Sequence, residues 1–520
     1  MNQQRLFLGC FLSLIATAFG FVVRGAILGD LAREFDLSNE QLGYINGAGS
    51  YPFAISIILL SLVIDRIGYG RTMAFAFFGH VVSALMTIFA TSFAMLYAGM
   101  FLFALANGAV EAVINPVVAT IYGDKKTHWL NILHAGWPGG IVFGGLLAIA
   151  ISQFGGEGAA SLWRWQMALL LIPTMLYGIL LAGQKFPVQE RVAAGVSYHD
   201  MLREFGWGSS FIVFFLLVAA INQVLVVVNI QPTEPWVWAA IAVVPTVAFA
   251  LYVKSFGRPM FVFLLVIMFL LATTEIGTDG WISDIMRAVL GTQTKGLLFI
   301  IYTSAIMFGL RFFAGPIVHA LSPLGLLAGS AAIACVGLLW LANAGAAVGM
   351  LFLAATFYGL GKTFFWPTTL GVVAEQYPRG GALMLNAIAG VGMIFVGTLG
   401  NPAIGFVQDR ALDQMLAAEQ PALHAEALKP TKGLFGTVDT LDQAKFEQLT
   451  TEQKDEIDPI IVRAKQGTLA KVAVLPAIMF VCYVGLLVYF QSRGGYKPEV
   501  LISQAEEDEL MAGGVEGPVR

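Results

Sequence analysis

The stretch of sequence that decides the fold is FAMLYAGMFLFALANGAVEAVINPVVATIY, residues 93–122. It is almost wholly apolar and longer than the roughly 20 residues that a helix needs to cross a bilayer. One carboxylic acid, Glu111, interrupts its second half. A charged side chain at the centre of a membrane helix costs roughly 2.5–3.5 kcal/mol on insertion scales, and such residues are functional by default. Glu111 is therefore the first candidate for a functional residue.

The composition of the whole chain is that of a polytopic membrane protein. Of its 520 residues, 58% are hydrophobic and 12% are charged, with a mean hydropathy of +0.77, whereas soluble proteins have roughly 25% charged residues. The net charge of −4 and the lack of a basic tract argue against nucleic-acid binding. Cys10, Cys335 and Cys482 lie in apolar runs and are interpreted as core residues, not as disulfides or metal ligands. The first apolar run, from Leu6 to about Val23, is too long for a signal-peptide core and is predicted to be a spanning helix.

Hydrophobic runs of spanning length predict an all-α membrane protein with fourteen spans, arranged as six, two and six. The N-terminal half, residues 1–184, contains the predicted spans 6–28, 41–64, 72–92, 94–121, 130–153 and 164–184. Residues 185–258 contain a charged amphipathic connection and two extra spans, 209–230 and 235–254. The C-terminal half, residues 259–408 with 468–491, contains the predicted spans 259–281, 296–319, 322–343, 346–374, 381–408 and 468–491.

Basic residues are distributed unevenly between the predicted loops. If the N-terminus is cytoplasmic, the inside loops receive Arg66, Arg71, Lys125, Lys126, Lys185, Arg191, Arg203, Lys254, Arg258, Arg379, Arg493 and Lys497. The short outside loops then receive Arg33, Arg164, Arg287 and Lys295. This distribution follows the positive-inside rule, so both termini are predicted to be cytoplasmic, in a multi-pass protein of the cell (inner) membrane.

Two segments are predicted to lie outside the bilayer. Residues 409–467, about a third of them charged, form an extracytoplasmic loop with a weak helical periodicity, for which we expect short surface helices without chemistry of their own. Residues 492–520 form a cytoplasmic tail, and its last part, SQAEEDELMAGGVEGPVR, has the composition of a disordered segment.

An internal repeat relates the two halves. ANGAVEAVINPVV (106–118) in the fourth span aligns with YGLGKTFFWPTTL (358–370) in the twelfth, which places Glu111 on Lys362 and Pro116 on Pro367. The spans that follow also begin alike, with LNILHAG (130–136) against LNAIAGV (385–391). Repeats of six helices, with a site near the midplane where they meet, are typical of secondary transporters.

These features together resemble the major facilitator superfamily. VEAVINPVVATIYGDKKTHWLNILHAG (110–136) is similar to the fucose–proton symporter branch, in which a glutamate precedes an Asn-Pro pair in the fourth helix. The branch also has a first-helix aspartate, but here FVVRGAILGD (21–30) offers Arg24 instead. The two extra spans are similar in placement to those of bacterial proton–oligopeptide transporters, without the motifs of that group.

A second motif carries the resemblance. SLVIDRIGYGR (61–71) resembles the superfamily's loop between its second and third helices, with Ser61 where a glycine is usual. The resemblance implies a conformational gate formed by Asp65, Arg66, Gly68 and Arg71. The matching segment of the second half, GPIVHALSPLG (315–325), is degraded.

Three polar stripes are predicted on helices that would line a central cavity in this superfamily. Residues four apart share a helix face, and the three sets are Asn107, Glu111 and Asn115; Tyr358, Lys362 and Trp366; and Glu275 and Asp279. Arg24 is the charged residue of the first helix. We predict that Arg24 and Lys362 are the cationic neighbours of Glu111, in a water-facing cavity. A fixed ion pair that only ties helices together is the alternative.

Roles can be assigned to these residues as hypotheses. Glu111, Asp279 and Glu275 are the predicted proton-coupling residues, although both acids of the last pair could simply be solvated at a helix end. The predicted substrate-binding residues are Asn107, Asn115, His134, Trp137, Tyr358, Lys362, Trp366 and Arg24. His134 and Trp137 fit structural packing equally well, and Arg311 is assigned to the conformational gate.

The function that these patterns favour is secondary active transport of a small polar solute by alternating access. Proton-coupled uptake of a sugar leads by resemblance, and an exporter or organic-anion carrier that grips a carboxylate with Arg24 and Lys362 is the alternative. A non-transporting receptor that binds through residues 409–467 is a competitor from another class. No enzyme motif, nucleotide-binding loop, cofactor motif or metal-ligand spacing is present. The expected partners are the solute, protons and lipid, and a monomer is expected.

Overall fold

Most of the chain is helical in the computed structural model, which describes residues 2–37, 41, 45, 48–49, 51–154, 162–227 and 233–501. The predicted start of the second span and the turn between the extra spans lie partly outside these residues, and the tail over 503–520 lies wholly outside them. The helices of the N-terminal half are α1 (Gln3–Glu34), α2 (Tyr51–Ile67), α3 (Tyr69–Ile88), α4 (Phe93–Ile121), α5 (Lys126–His134), α6 (Gly136–Phe154), α7 (Leu162–Ala168) and α8 (Leu171–Leu181).

The connection and the C-terminal half continue the same pattern. The connection contains α9 (Glu190–Ala193), α10 (Tyr198–Val227) and α11 (Pro235–Val253). The spanning region of the C-terminal half contains α12 (Pro259–Ala272), α13 (Thr278–Leu290), α14 (Gln293–Arg311), α15 (Ala314–Asn343), α16 (Val348–Lys362), α17 (Phe365–Gln376), α18 (Gly381–Phe395) and the start of α19 (Asn401–Glu419).

Twelve helical segments are long and apolar enough to cross a membrane in the part of the chain that the structure describes. The other two predicted spans coincide with α2 and α14, which are helical but are not among those twelve. The count of fourteen spans therefore stays a prediction, and a polytopic helical membrane protein is what the structure shows.

Glycine allows the helices of each half to approach closely. A Cβ atom at Gly140 of α6 would lie 2.5 Å from the carbonyl oxygen of Ile15 in α1, and one at Gly361 of α16 would lie 2.3 Å from the nitrogen of Ala334 in α15. Small residues at such contacts are typical of membrane helices, because lipid supplies no hydrophobic force and tight packing must hold them together.

Both described ends of the chain lie at the same end of the bundle, called here the terminal face. The ring of Phe7, near the start of α1, lies 5.7 Å from the ring of Tyr122, at the end of α4. At the other end of the chain, the Tyr496 hydroxyl donates a hydrogen bond of 2.8 Å to Glu375, in the last turn of α17. The basic residues predicted to lie in the inside loops cluster at this face, and its cytoplasmic location stays a prediction.

The extra helices α10 and α11 form a hairpin that packs on α12 and α18 of the C-terminal half. Two bonds fix the start of this hairpin: the Trp207 backbone N–H donates to Ser255 (3.0 Å) and that of Arg258 donates to Glu204 (3.1 Å). Gly206 has a φ of +65°, where a side chain would be strained. The hairpin thus lies beside the bundle.

Residues 409–467 differ from the prediction of short surface helices. The end of α19 and the start of α22 (Thr451–Val472) project from the bundle, and α22 leads into the last span, α23 (Val474–Gln491). Between them lie α20 (Pro421–Ala427), β1 (Leu428–Gly433), β2 (Gly436–Leu441) and α21 (Gln443–Gln448). The two strands form an antiparallel hairpin. We call residues 409–467 the outer subdomain; its own core contains Leu416 and Ile457, both fully buried.

The two halves share an unusual backbone conformation at matching loops. Gly68, between α2 and α3, has φ +90° and ψ +147°. Ser322, at the matching place in the degraded motif of the second half, has φ +60° and ψ +161°. This region is almost restricted to glycine and costs other residues roughly 1–3 kcal/mol. The two loops therefore share a backbone conformation although their sequences differ.

Candidate functional site

The site is built where helices are interrupted. His134 is the last residue of α5, Lys362 is the last residue of α16, and Glu275 lies in a π-helical turn, Thr273–Gly277. Such turns are frequent at functional sites, and irregular backbone at membrane depth is tolerated where protein or a cavity covers it. The predicted polar residues thus lie at the breaks in the helices.

Three prolines free carbonyl oxygens around this site. A proline lacks the N–H that would bond the carbonyl four residues before it, so Pro116, Pro138 and Pro367 leave those of Ala112, His134 and Thr363 without a helical donor. Side chains replace the missing donors. Asn386 Nδ2 donates to Ala112 O (3.0 Å), while Arg311 Nη1 donates to His134 O (2.5 Å) and Arg311 Nε to Thr363 O (2.7 Å).

Glu111 is buried and is held by a neutral partner. Asn115 Nδ2 donates to Glu111 Oε2 at 2.7 Å, and His134 Nε2 lies 2.8 Å from Asn115 Oδ1. The predicted cationic neighbours are wrong: among the described residues, neither Arg24 nor Lys362 forms an ion pair with Glu111. The amide of Asn115 satisfies the carboxyl group instead.

Arg24 and Glu111 are at different depths. A Cβ at Gly20 of α1 would meet the Phe103 ring of α4, and the two helices run antiparallel. From this contact, Arg24 lies four residues along α1 in one direction and Glu111 lies eight residues along α4 in the other. At about 1.5 Å per residue, roughly 18 Å separates them along the bundle axis. Arg24 is the residue nearer the end opposite the terminal face.

The buried guanidinium of Arg24 contacts aromatic and backbone groups. It lies 5.3 Å from the centre of the Phe21 ring and beside Gly49, where a Cβ would overlap it. Its Nε has no hydrogen-bond partner among the described residues. The Phe21 ring also lies 5.8 Å from that of Trp137, so Arg24 and Trp137 belong to one cluster.

Lys362 is paired with an acid of its own half. Its fully buried ammonium forms an ion pair with Asp279 and lies 4.9 Å from the centre of the Tyr358 ring. The hydroxyl of Tyr358 donates to Thr274 O at 2.7 Å. The Lys362 pair is therefore fixed within the C-terminal half, and the alternative of a solvated helix end does not apply to Asp279.

Arg311 joins the two halves at this site. It is buried, its Nη2 lies 3.2 Å from Glu275 Oε1, and its bond to His134 O crosses from the C-terminal to the N-terminal half. A chain of contacts thus runs from Glu111 through Asn115, His134 and Arg311 to Glu275. The prediction assigned Arg311 to the gate and did not foresee its central position; Pro138 and Pro367 were the signals that could have revealed it.

Other predicted binding residues are engaged in packing. Asn107 Oδ1 lies 2.8 Å from Nε2 of His80, whose Nδ1 lies 3.0 Å from the Tyr177 hydroxyl. Trp366 is 7% exposed and packs against Gly392. Asn107 and Trp366 are therefore part of the helix packing in this conformation.

The predicted gate lies at the terminal face. Asp65 forms a buried ion pair with Arg191 of α9, a partner that the sequence did not reveal. The guanidinium of Arg66 lies 5.3 Å from the Tyr198 ring centre, and Arg71 is exposed. This loop therefore contacts the connection between the halves.

A second set of contacts closes the terminal face, and the sequence analysis missed it. Glu375 of α17 accepts from the Thr127 backbone N–H (3.2 Å) and from Tyr496 (2.8 Å). Burial and the Glu375 carboxylate raise the pKa of Tyr496 well above its usual value, so its hydroxyl keeps its proton. Asn131 Nδ2 donates to Thr368 across the halves at 3.2 Å.

The asparagine that follows leucine at the start of both repeated segments, LNILHAG and LNAIAGV, bonds the opposite half in each case. Asn131 of the N-terminal half donates to Thr368, and Asn386 of the C-terminal half donates to Ala112. The pair was visible in the repeat, but its role was not. The halves are therefore joined at and near the terminal face.

Two bundles of spanning helices meet around the buried charges in this structure. A sequence model of the Major Facilitator Superfamily matches residues 9–401, and the chain belongs to this superfamily. The superfamily and the helical membrane fold predicted from the sequence are thereby confirmed, while the fourteen spans and the cytoplasmic termini stay predictions.

Curated relatives match part of the chain. Over 192 residues it is 27% identical to the Protein TsgA homolog of Buchnera aphidicola subsp. Schizaphis graminum, covering 36% of this chain and 48% of that protein. Over 189 residues it is 23% identical to the gentisate transporter of Corynebacterium glutamicum, covering 36% of this chain and 41% of that protein. The match thus spans less than half the length of these relatives.

The solved structure of FucP, a Major Facilitator Superfamily transporter in the outward conformation, has the same fold. Its TM-score is 0.56 at 14% identity, with 92% of this chain and 98% of that chain covered. At this identity the likeness concerns the fold alone.

Proposed function

We propose that this protein is a secondary active transporter that moves a small polar solute by alternating access and exchanges a proton at Glu111. The observation that carries the proposal is the environment of Glu111. It is 4% exposed and accepts its hydrogen bond from the neutral amide of Asn115. A buried carboxylate without a cation is costly, and no fixed ion pair within the described part of the chain holds Glu111 in its charged form. Glu111 can therefore take up or release its proton as the solute binds.

The other two buried acids of the site support this role by contrast. Glu275 faces Arg311 and Asp279 faces Lys362, so each keeps a compensating charge. The sequence analysis grouped all three acids as proton-coupling residues. We now propose Glu111 as the group that takes up and releases the proton, with Glu275 and Asp279 as fixed charges.

Replacement of Glu111 by Gln tests the coupling. In proteoliposomes, Glu111→Gln is expected to exchange labelled solute across the membrane but not to accumulate it under a pH gradient. Glu426→Gln, at an exposed acid of the outer subdomain, is the matched control and is expected to accumulate solute normally. Accumulation by Glu111→Gln with proton uptake intact would refute the proposal.

For the solute we propose a small organic anion, which the sequence analysis gave as the alternative to a sugar. Two of the three buried cations of the site are paired with Asp279 and Glu275, which leaves Arg24 without an ion pair among the described residues. Guanidinium groups bind carboxylates well. The relative named as a gentisate transporter supports the same class of solute.

A neutral sugar, the first choice from the sequence, has less support. Three of the predicted substrate-binding side chains already have partners: Asn107 bonds His80, Asn115 bonds Glu111, and the Tyr358 ring faces Lys362. A sugar would have to displace these contacts, whereas a carboxylate would add one at Arg24.

A thermal-shift screen of the purified protein distinguishes the two solute classes. Aromatic and aliphatic carboxylates are expected to raise the unfolding temperature, and fucose and xylose are not. Arg24→Gln is expected to weaken carboxylate binding at least about tenfold, since a buried charged hydrogen bond is worth roughly 1.5–3 kcal/mol. Stabilisation by sugars alone would reverse the assignment.

We also propose that the chain has fourteen spans, with the terminal face on the cytoplasmic side of the inner membrane and the outer subdomain outside. The support is the concentration of Lys and Arg at that face. Cysteine accessibility tests this topology: a cysteine at Arg493 should react only in permeabilised cells, and one at Lys432, in the hairpin, should react in intact cells.

A further inference from the structure

The outer subdomain contains a cluster of potential metal ligands that the transport mechanism does not use. Nε2 of His424 lies 2.7 Å from Oδ1 of Asp413 and 3.9 Å from Oδ2 of Asp439. The three ligand atoms all lie within 4.8 Å of one another. The residues come from three separate elements, α19, α20 and β2, so the tertiary fold brings them together.

Buried neighbours fix the positions of these side chains. Asp413 follows Leu412, His424 follows Leu423, and Asp439 follows Val438; the three apolar residues are 7%, 6% and 8% exposed. Two of them, Leu412 and Leu423, belong to the core of the outer subdomain. The three polar side chains, in contrast, are partly open to solvent, at 29%, 21% and 36%. The cluster is therefore both anchored and accessible to an ion.

Asp439 receives no hydrogen bond from the histidine of the cluster. The Nε2 of His424 can serve one acceptor, and Asp413 at 2.7 Å is that acceptor. The carboxylate of Asp439, at 3.9 Å, is too far for a hydrogen bond to the same nitrogen. Two carboxylates thus converge on one imidazole nitrogen, and a cation between them would satisfy all three groups.

The spacing suits a transition-metal ion. Bonds of about 2.0–2.1 Å to His nitrogen and carboxylate oxygen in a tetrahedral zinc site place neighbouring ligand atoms roughly 3.3 Å apart. The two measured separations, 2.7 and 3.9 Å, lie on either side of that value. One imidazole and two carboxylates also match the charge of a divalent cation, and imidazole favours zinc and other transition metals over magnesium or calcium.

We propose that Asp413, His424 and Asp439 form a binding site for one divalent transition-metal cation, with zinc as the fitting probe and water completing the coordination. Such an ion would connect the hairpin to α19 and α20. The proposal does not depend on the proposed transport function, because all three residues belong to the outer subdomain and none of them contacts the described residues of the candidate functional site.

Zinc titration of the full-length protein tests the site. The protein is purified through a tag without histidine, treated with a chelator and titrated with ZnCl2 by calorimetry. One equivalent is expected to bind with micromolar or tighter affinity. His424→Gln and Asp439→Asn are each expected to weaken binding at least about tenfold, in line with the loss of a ligand.

The matched control is His199→Gln. His199 is an exposed histidine of the terminal face whose Nε2 lies 3.5 Å from Tyr252 O, and its replacement is expected to leave zinc binding unchanged. If His424→Gln does not accumulate as folded protein, the zinc titration of Asp439→Asn, a variant on the exposed hairpin, decides the test. The proposal is overturned if the unmodified protein does not bind zinc, or if both ligand variants bind zinc as tightly as the unmodified protein does.

Discussion

The two halves of the molecule hold the buried acids of the candidate site in opposite ways. In the N-terminal half, Glu111 is bonded to the amide of Asn115. In the C-terminal half, Glu275 faces Arg311 and Asp279 faces Lys362. The repeat aligns Glu111 with Lys362, yet the two side chains do not pair with each other. This difference supports the proposed division of roles, with fixed charge pairs in the C-terminal half and a carboxyl group that exchanges its proton in the N-terminal half.

The largest expected effect comes from removing one member of a fixed pair. Lys362→Met leaves the Asp279 carboxylate without its cation and is expected to lower the free energy of unfolding by roughly 3–5 kcal/mol. Chemical denaturation in detergent measures this change. The double variant Asp279→Asn with Lys362→Met should regain most of the loss, and a single variant as stable as the double would show that the pair is not a fixed charge.

A smaller loss is expected for Arg311→Lys. The variant keeps the charge beside Glu275, but one ammonium group cannot reproduce the fork that serves His134 O and Thr363 O. A buried carbonyl without a donor costs about 1–3 kcal/mol. Denaturation should show a loss in this range, while Lys295→Arg, on the exposed first turn of α14, serves as control. Unchanged stability would mean that water replaces the guanidinium.

The matching loops allow a reciprocal exchange. Ser322→Gly is expected to stabilise the protein by about 1 kcal/mol, because glycine adopts the positive φ without strain. Gly68→Ser should destabilise it by a similar amount. A shift of the unfolding midpoint in the same direction for both variants would contradict the shared geometry of the two halves.

The smallest effect on stability is expected at Glu111. Glu111→Gln replaces a carboxyl that has a neutral partner by an amide of the same shape, so the free energy of unfolding should change by less than about 1 kcal/mol. Asp279→Asn, which strands Lys362, should cost several times more in the same denaturation assay. Equal losses for the two variants would remove the contrast between the halves.

Much of the fold could be predicted because it depends on composition and repeats. Apolar runs predicted the spanning helices, and the repeat of Pro116 and Pro367 predicted two related halves. The position of Glu111 and Lys362 within spanning helices followed from the same patterns.

The pairing of the buried charges depends on how helices slide and rotate against one another, which a single sequence does not specify. The depth of Arg24 relative to Glu111 is set by the contact between Gly20 and Phe103, two residues without polar chemistry. The hairpin at 428–441 was missed because the charged residues around it mimic a weak helical period.

The prolines have a consequence for the transport cycle proposed above. The carbonyl oxygen of His134 depends on a donor from the opposite half, because Pro138 cannot supply one. If the two halves separate along this seam, that oxygen loses Arg311 and needs another donor. We propose that a water molecule or a hydroxyl group of the solute takes over, so that hydration of a single peptide group contributes to the barrier to reorientation.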